Sequence, residues 1–127
     1  FISDDLQEAR EQTRWFGAVV GNHIADVLRH HAADELPEEL VDFVKNRGDY
    51  DYREHAEPGT EHSKYVPDEI VDRFCVIGTP DDIRRRLKEL EALGVSEFNI
   101  YPHVDGIEDL IVRYGQEFAP EFRAAAA

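Results

Sequence analysis

The sequence predicts an α/β fold that is mostly helical and contains one strand, at residues 95–101. Two observations predict it. Apolar residues recur at three- and four-residue spacing along most of the chain, which is the period of an amphipathic helix. One predicted helix ends at Gly94 and passes directly into Val95–Tyr101, a short β-rich segment flanked by glycine and proline. A helix, a tight turn and a strand in this order are typical of α/β units, whose strands need parallel neighbours.

The first part of the chain is predicted to form two helices. Ser3 precedes two aspartates, which is an N-cap pattern, and the apolar residues that follow predict a helix to about His30. Gly17 and Gly21 lie one turn apart in it, and each lowers helix stability by about 1 kcal/mol relative to alanine. This spacing favours a tight helix crossing over a notch that faces a ligand. A second helix is predicted over residues 37–48, between a proline and a glycine.

Residues 49–64 are predicted to be the one extended loop of the chain, because they hold two tyrosines, two histidines and a Pro-Gly turn with little periodicity. A short helix then begins at Pro67. Thr79–Asp82 combines a capping threonine, a proline at the first helical position and acidic residues in the first turn, which predicts the start of a longer helix. Gly94 is expected to end it. A final helix is predicted from about Ile107.

The net charge restricts the classes of partner. The chain carries 28 acidic residues against 14 lysines and arginines, a formal net charge of −14 at pH 7. Such a surface is repelled by nucleic-acid phosphates and by anionic lipid headgroups over about a Debye length. We therefore expect no nucleic-acid or membrane partner. With 42% apolar residues and all three aromatic types present, the chain can still form a core.

The cysteine content and the hydropathy predict a cytoplasmic protein. Cys75 is the single cysteine, so no intrachain disulfide can form, and its apolar neighbours favour a small buried side chain. No apolar run approaches the ~18 residues of a membrane-spanning helix, and the start has no signal-peptide pattern. The sequence begins at Phe1 rather than methionine. If its α/β units belong to an eight-stranded barrel, which needs ~250 residues, we expect it to be the last portion of a longer chain.

Three features in order carry a resemblance to a known family. They are the Ile77–Pro80 turn before a charged amphipathic helix, the Leu93–Val95 junction between helix and strand, and the Phe98–Tyr101 strand. With them, the stretch from Tyr65 to Gly106 resembles the carboxy-terminal segment of the luciferase-like monooxygenase superfamily. Within that superfamily it is most similar to the oxidoreductases that use the deazaflavin coenzyme F420. The resemblance extends over nearly the whole chain, from Phe1 to Phe122.

The resemblance implies a fold and a reaction. The chain would be the carboxy-terminal portion of a (β/α)8 barrel of the TIM type, with Val95–Tyr101 as its last strand and residues 49–64 as a lid over the mouth. The reaction would be hydride transfer between coenzyme F420, or alternatively FMN, and an organic substrate. The earlier strands of the family, which make most cofactor contacts, are missing from these residues. Cofactor binding is therefore expected to need the rest of the barrel, and the partner of the chain is expected to be that remainder or a second copy.

Candidate binding residues follow from this geometry. Barrel enzymes place active groups at the carboxyl ends of strands, so Tyr101 and His103 are predicted to face the mouth; alternatively, they are a rim residue and a solvated loop residue. In the lid, Arg53, His55 and His62 are suited to cover a flat ring, hold a carboxylate or transfer a proton. The alternative there is a surface loop anchored by its tyrosines. No residue is assigned a catalytic role.

Two further classes of function are weighed against the oxidoreductase. A metal site is not predicted, because no pair among the histidines and Cys75 has the short ligand spacing of a zinc motif. The remaining alternative is a free-standing, mainly helical protein-interaction module without catalysis. The short chain and the excess of helices over strands favour that alternative.

Overall fold

A computed structural model of the protein describes residues 1–30, 35–46, 53, 59–101 and 106–122, except for the side chains of Arg29 and His62. The mostly helical character is confirmed. The described helices are α1 (Leu6–His30), α2 (Glu38–Asn46), α3 (Asp68–Phe74), α4 (Pro80–Ala92), α5 (Ile107–Arg113) and α6 (Ala119–Phe122), with a 3-10 turn at Glu61–Ser63 and a π-helical turn at Tyr114–Phe118. None of these helices is both long and apolar enough to cross a membrane.

The chain divides into two compact units. One comprises residues 1–9 and 76–127 and is called the carboxy-terminal unit here. The other, the helical unit, comprises residues 10–75. The proposed lid, residues 49–64, falls in the helical unit, where residue 53 and residues 59–64 are described. The rest of that loop lies outside the described residues.

Two glycines of α1 allow close packing in the helical unit, as their spacing predicted. A Cβ atom at Gly21 would lie 2.8 Å from Cζ of Phe43 in α2. A Cβ atom at Gly17 would lie 2.6 Å from Cγ1 of Val66, just before α3. Real Cβ atoms do not approach so closely, so a larger residue at either position would force Phe43 or Val66 to shift. Trp15, Leu40, Phe43, Ile70 and Val71 are buried in this unit.

Ion pairs reinforce the contact between α1 and α3. The Arg14 guanidinium donates to Asp68 Oδ1 at 2.6 Å and to the Val66 carbonyl at 2.5 Å. Arg10 binds Asp72 through two nitrogens, at 2.9 and 2.6 Å. The hydrogen bond from Arg14 lowers the pKa of the Asp68 carboxyl. Because the pairs are partly exposed, they orient the helices more than they stabilise them.

The carboxy-terminal unit has its own apolar core. Ile83 and Leu87 of α4 pack with Leu110 of α5 and with Tyr114 and Phe118 of the π-helical turn. The rings of Tyr114 and Phe118 lie 5.1 Å apart between centroids. Burial raises the pKa of the Tyr114 hydroxyl to about 12, because the anionic form loses hydration there. The core therefore depends on side chains spaced along two helical segments, as their periodicity predicted.

The predicted strand at residues 95–101 is wrong for this chain. Residues 95–101 form no strand in the structure, and all of them are exposed. The Val95 N–H instead bonds the Leu90 carbonyl at 3.0 Å, closing the end of α4 with Gly94 at a φ of +94°. The helix end at Gly94 is thus confirmed. A strand is stabilised by its neighbours, and the described part of the chain places none beside this segment.

The close crossing of α1 and α2 yields a stability prediction. We expect Gly21→Ala to lower the free energy of unfolding by about 1–3 kcal/mol, because the new methyl overpacks against the Phe43 ring. Urea denaturation followed by circular dichroism measures the change. The matched control is Gly115→Ala, where a Cβ atom meets nothing within 4 Å. That helical substitution should be neutral or stabilise by up to ~1 kcal/mol. Equal stability of the Gly21→Ala variant and the parent protein would contradict the crossing.

Candidate functional site

Two separated segments of the carboxy-terminal unit lie side by side in parallel. Ile2 and Gly78 form a parallel β-bridge. The Ser3 N–H donates to the Gly78 carbonyl at 2.9 Å, and the Gly78 N–H donates to the Phe1 carbonyl at 3.2 Å. The Phe1 backbone nitrogen donates to the Val76 carbonyl at 2.8 Å. This parallel pair joins residues 75 positions apart and is the one sheet-like contact in the described part of the chain.

Both paired segments lead directly into a helix. Residues 1–3 precede α1, and residues 76–78 precede α4. Because the segments are parallel, their carboxyl ends and the two helix starts lie at the same edge of the pair. In α/β folds this edge is where ligand sites form, since loops from successive strands converge there. We call it the carboxyl edge, and it is the candidate site.

A closed hydrogen-bond ring forms the start of α4. Thr79 Oγ1 donates to Asp82 Oδ2 at 2.7 Å, and the Thr79 backbone N–H reaches the same oxygen at 3.1 Å. In return Thr79 Oγ1 accepts the Asp82 backbone N–H at 3.3 Å. The predicted helix start is confirmed as a full capping box. The hydrogen bond from the Thr79 hydroxyl is the main reason that the pKa of Asp82 is lowered.

The carboxylate of Asp5 caps the start of α1, whereas the sequence predicts Ser3 as the cap. Asp5 Oδ1 accepts the backbone N–H groups of Gln7 and Glu8 at 2.9 and 3.1 Å. Ser3 Oγ instead accepts the Asp5 N–H at 3.0 Å and donates to Glu8 Oε2 at 2.6 Å. Ser3 as the N-cap is therefore wrong, because the helix begins two residues later than its serine signal suggests. Ser3 extends the cap by holding Asp5 and Glu8 together.

The carboxyl edge carries an acidic side chain at each helix start, Asp5 at α1 and Asp82 at α4. At α1 the N–H groups of Gln7 and Glu8 are bonded to Asp5, and at α4 the Thr79 N–H is bonded to the Asp82 carboxylate, so a carboxylate stands where an anion would otherwise bind. A phosphate placed there would have to displace a carboxylate of the chain. Within the described residues no three His, Cys, Asp or Glu side chains gather in a way that could hold a metal ion. The described edge can therefore position loops and backbone, and its fit to an anionic group is poor.

The structure locates two of the five candidate binding residues in full. Tyr101 belongs to the carboxy-terminal unit and its side chain is 71% exposed. Arg53 belongs to the helical unit and is exposed. His62 lies in the 3-10 turn of the helical unit, with its side chain outside the described residues. His55 and His103 also lie outside the described residues. A shared site for these residues stays a prediction.

The parallel pair itself was missed by sequence reasoning. Its signal is short: an apolar run of two or three residues stands before Ser3 and again before Gly78, each followed by a capped helix. At Leu93–Val95 the order is the opposite, because a helix comes before the β-rich segment. There the sequence predicts only the turn from helix to strand. Segments of three residues carry too little periodicity to separate a strand from the end of a loop.

Comparison with known proteins identifies relatives of the chain. A family model described as "Luciferase-like monooxygenase" matches residues 1–97. The 5,10-methylenetetrahydromethanopterin reductase of Archaeoglobus fulgidus is 31% identical over 97 residues, which is 76% of this chain and 28% of the reductase. The chain thus spans less than a third of that curated relative. No solved structure shows a significant match.

The capping ring of α4 yields a pH prediction. The pKa of Asp82 is lowered in the folded state from its ordinary 3.8, so its carboxylate stabilises the fold above that value. The contribution is lost as the pH falls through the folded pKa. We expect Asp82→Asn to unfold at lower urea than the parent protein at pH 7, with the difference shrinking as the pH falls below 3.8. The control is Asp81→Asn, whose side chain is 95% exposed. A urea midpoint difference that is constant from pH 7 to about pH 2 would contradict the assignment.

Proposed function

The chain belongs to the luciferase-like monooxygenase family, and from this membership we propose that it is the carboxy-terminal portion of a (β/α)8 barrel oxidoreductase. The proposed reaction is hydride transfer between coenzyme F420, or alternatively FMN, and an organic substrate. When bound, the cofactor would supply the hydride chemistry, and the protein would bind and orient the reactants. The observation that carries the proposal is the family match over residues 1–97, more than three quarters of the chain.

The parallel pair supports the barrel. Parallel strands require crossover connections, and here the 1–3 segment reaches the 76–78 segment through α1, α2 and α3. Each segment is then followed by a helix, which is the repeating order of a (β/α) barrel. Residues 95–101 follow α4 and would supply the next strand once a neighbour is present. The free-standing interaction module, the alternative function, leaves this order and the family match unexplained.

The cofactor needs residues beyond those described in this chain. Coenzyme F420 and FMN are anionic, since each carries a phosphate. At the described carboxyl edge Asp5 and Asp82 occupy the helix starts, so these residues do not fit a phosphate. We propose that other parts of the barrel hold the phosphate. This chain would contribute Tyr101 and His103 at the mouth and Arg53, His55 and His62 from a lid over residues 49–64.

The proposed partners and location follow from the charge and the helices. A net charge of −14 disfavours nucleic acid and anionic membranes. The partners would be a small-molecule substrate and either the rest of the barrel or a second copy of the chain. We propose a cytoplasmic location. The relative is named for the reduction of 5,10-methylenetetrahydromethanopterin, and this compound is the first hydride acceptor to test.

A chimera tests the oxidoreductase. The matched residues of the Archaeoglobus fulgidus reductase are replaced by their counterparts from this chain, and coenzyme F420 and FMN are titrated separately and followed by fluorescence. We expect the chimera to bind one of the two within about tenfold of the parent reductase, which is a difference of about 1.4 kcal/mol. The 127-residue chain alone should leave both signals unchanged. A folded chimera that binds neither cofactor would contradict the proposed function, and tight binding by the chain alone would contradict the cofactor placement.

The lid can be tested in the same chimera. Replacing residues 49–62 by a glycine-serine linker of equal length should lower kcat for 5,10-methylenetetrahydromethanopterin reduction by about tenfold or more, because water then reaches the reacting atoms. Thermal unfolding should change little. The matched control is Lys45→Ala, which removes an exposed side chain in the last turn of α2, outside the lid. If the linker variant keeps full activity, the lid assignment is wrong.

A further inference from the structure

An apolar groove shows which side of residues 95–101 faces the helices. The groove encloses about 510 Å³ and lies in the carboxy-terminal unit, between α4, residues 95–100 and the segment from α5 to α6. Phe98 and Ile100 line it, whereas Asn99 and Tyr101 do not. Successive side chains of an extended backbone point to opposite sides, and residues 98–101 follow this alternation. Phe98 and Ile100 therefore lie on the helix side of the segment.

A hydrogen bond between two side chains defines the other side. The Asn99 amide nitrogen Nδ2 donates to Glu97 Oε1 at 3.1 Å. Residues two positions apart share one face of an extended backbone, which brings these two side chains together. Glu97 also contributes to the wall of the groove, but its carboxylate bonds Asn99. By the same alternation Tyr101 belongs to the face of Asn99, and we call these three residues the polar face.

The carboxylate fixes the orientation of the amide. An ionised carboxylate only accepts hydrogen bonds, so the amide must present its nitrogen, rather than its oxygen, to Glu97. An asparagine side chain carries two N–H donors and one acceptor oxygen. One donor of Asn99 is used on Glu97, which leaves one N–H and the oxygen Oδ1 for a ligand. A ligand that carries an acceptor next to a donor matches this amide.

Under the proposed function, on which this inference rests, the polar face points into the barrel. In a (β/α)8 barrel the helices cover the outer side of the strands, and the inner side lines the interior. Because Phe98 and Ile100 lie on the side of α4 and the α5–α6 segment, the opposite face is the inner one. The carboxyl end of a barrel strand lies at the mouth, and Asn99 and Tyr101 are the polar-face residues nearest that end.

We propose that Asn99 is a ligand-binding residue at the barrel mouth and that Glu97 is the positioning residue for its amide. The ligand group is neutral and planar, with a hydrogen-bond acceptor beside a donor, as in an amide or an imide. The pyrimidinedione ring of coenzyme F420 or FMN carries such a group, and an organic substrate can carry one as well. Recognition of a neutral group also suits an edge where Asp5 and Asp82 disfavour a phosphate.

Titrations of cofactor and substrate test the role of Asn99. The reductase chimera is extended to carry residues 1–122 of this chain, and its ligands are coenzyme F420, FMN and 5,10-methylenetetrahydromethanopterin. We expect Asn99→Leu to weaken one of them about three- to tenfold, because about one hydrogen bond is lost. A higher dissociation constant for the cofactor, followed by fluorescence, assigns the cofactor ring. A higher KM with that constant unchanged assigns the substrate. The matched control is Ser96→Ala, on the helix side of the same segment, which should change neither.

A double-mutant cycle tests the positioning role of Glu97. We expect Glu97→Leu to weaken the same ligand as Asn99→Leu, because the amide then loses its fixed orientation. The double variant should bind no more weakly than Asn99→Leu alone, since Glu97 acts through Asn99. Effects that multiply in the double variant would overturn the positioning role. Thermal unfolding of all three variants should match that of the extended chimera, because both side chains are exposed.

Thiol labelling tests the face without measuring activity. Phe98→Cys and Asn99→Cys are made separately, and labelling is followed by peptide mass spectrometry. Both positions are exposed in the 127-residue chain and should react there. In the extended chimera we expect residue 99 to react at least about fivefold faster than residue 98, because residue 98 then packs under the helices and is protected. Bound ligand should slow the reaction at residue 99 alone.

The possible failures are distinguishable. Faster labelling at residue 98 than at residue 99 in the extended chimera would overturn the orientation of the polar face. Unchanged binding of every ligand by Asn99→Leu would overturn its role, although the chimera binds a cofactor. An extended chimera that binds neither cofactor contradicts the proposed function, and with it the ligand assigned to Asn99. Labelling of the two positions still decides which face points inward.

Discussion

The parallel backbone pairing between residues 1–3 and 76–78 is the constraint on which the carboxy-terminal unit depends. Three backbone bonds fix the direction of both segments and hold them side by side. Because each segment runs straight into a helix, the starts of α1 and α4 must emerge at one edge. Ile2 is buried beside Ile83 of the same core, so the pairing and the apolar packing stabilise each other. Parallel pairing between segments that are 75 residues apart in the chain is typical of an α/β fold. An isolated helical module does not need such a pair.

Features that depend on residues three or four positions apart could be predicted from the sequence. The capping box of α4 needs only Thr79 and Asp82, and both of its hydrogen bonds are present. The end of the same helix needs only a glycine that tolerates positive φ, and Gly94 has it. The α1 crossing was also predictable, because Gly17 and Gly21 occur where glycine otherwise disfavours a helix. Each of these features depends on residues within one or two helical turns, so the local sequence is enough to predict it.

Features that depend on distant residues could not be predicted in the same way. Residues 95–101 have a high strand propensity, but a strand forms only beside a neighbouring strand. The local sequence does not show whether such a neighbour is present. The cap of α1 is Asp5 rather than Ser3, because Asp5 accepts the N–H groups of the first helical turn and Ser3 accepts the N–H of Asp5. Serine and aspartate are equally good N-caps, so the sequence alone does not choose between them. Whether the candidate binding residues share a site also depends on contacts between distant parts of the chain, since Tyr101 and Arg53 belong to different units.

The acidic carboxyl edge suggests how binding would be divided within the proposed barrel. A helix start that bonds its own carboxylate gains stability at neutral pH, and it gives up the donors that an anionic ligand would use. At the carboxyl edge Asp5 accepts two such N–H groups at the start of α1, and Asp82 accepts the Thr79 N–H at the start of α4. Negative charge on the cofactor would then have to be balanced by cations elsewhere in the barrel. Under the proposed function, this chain would shape the mouth and cover it, while other strands would carry the charge of the cofactor.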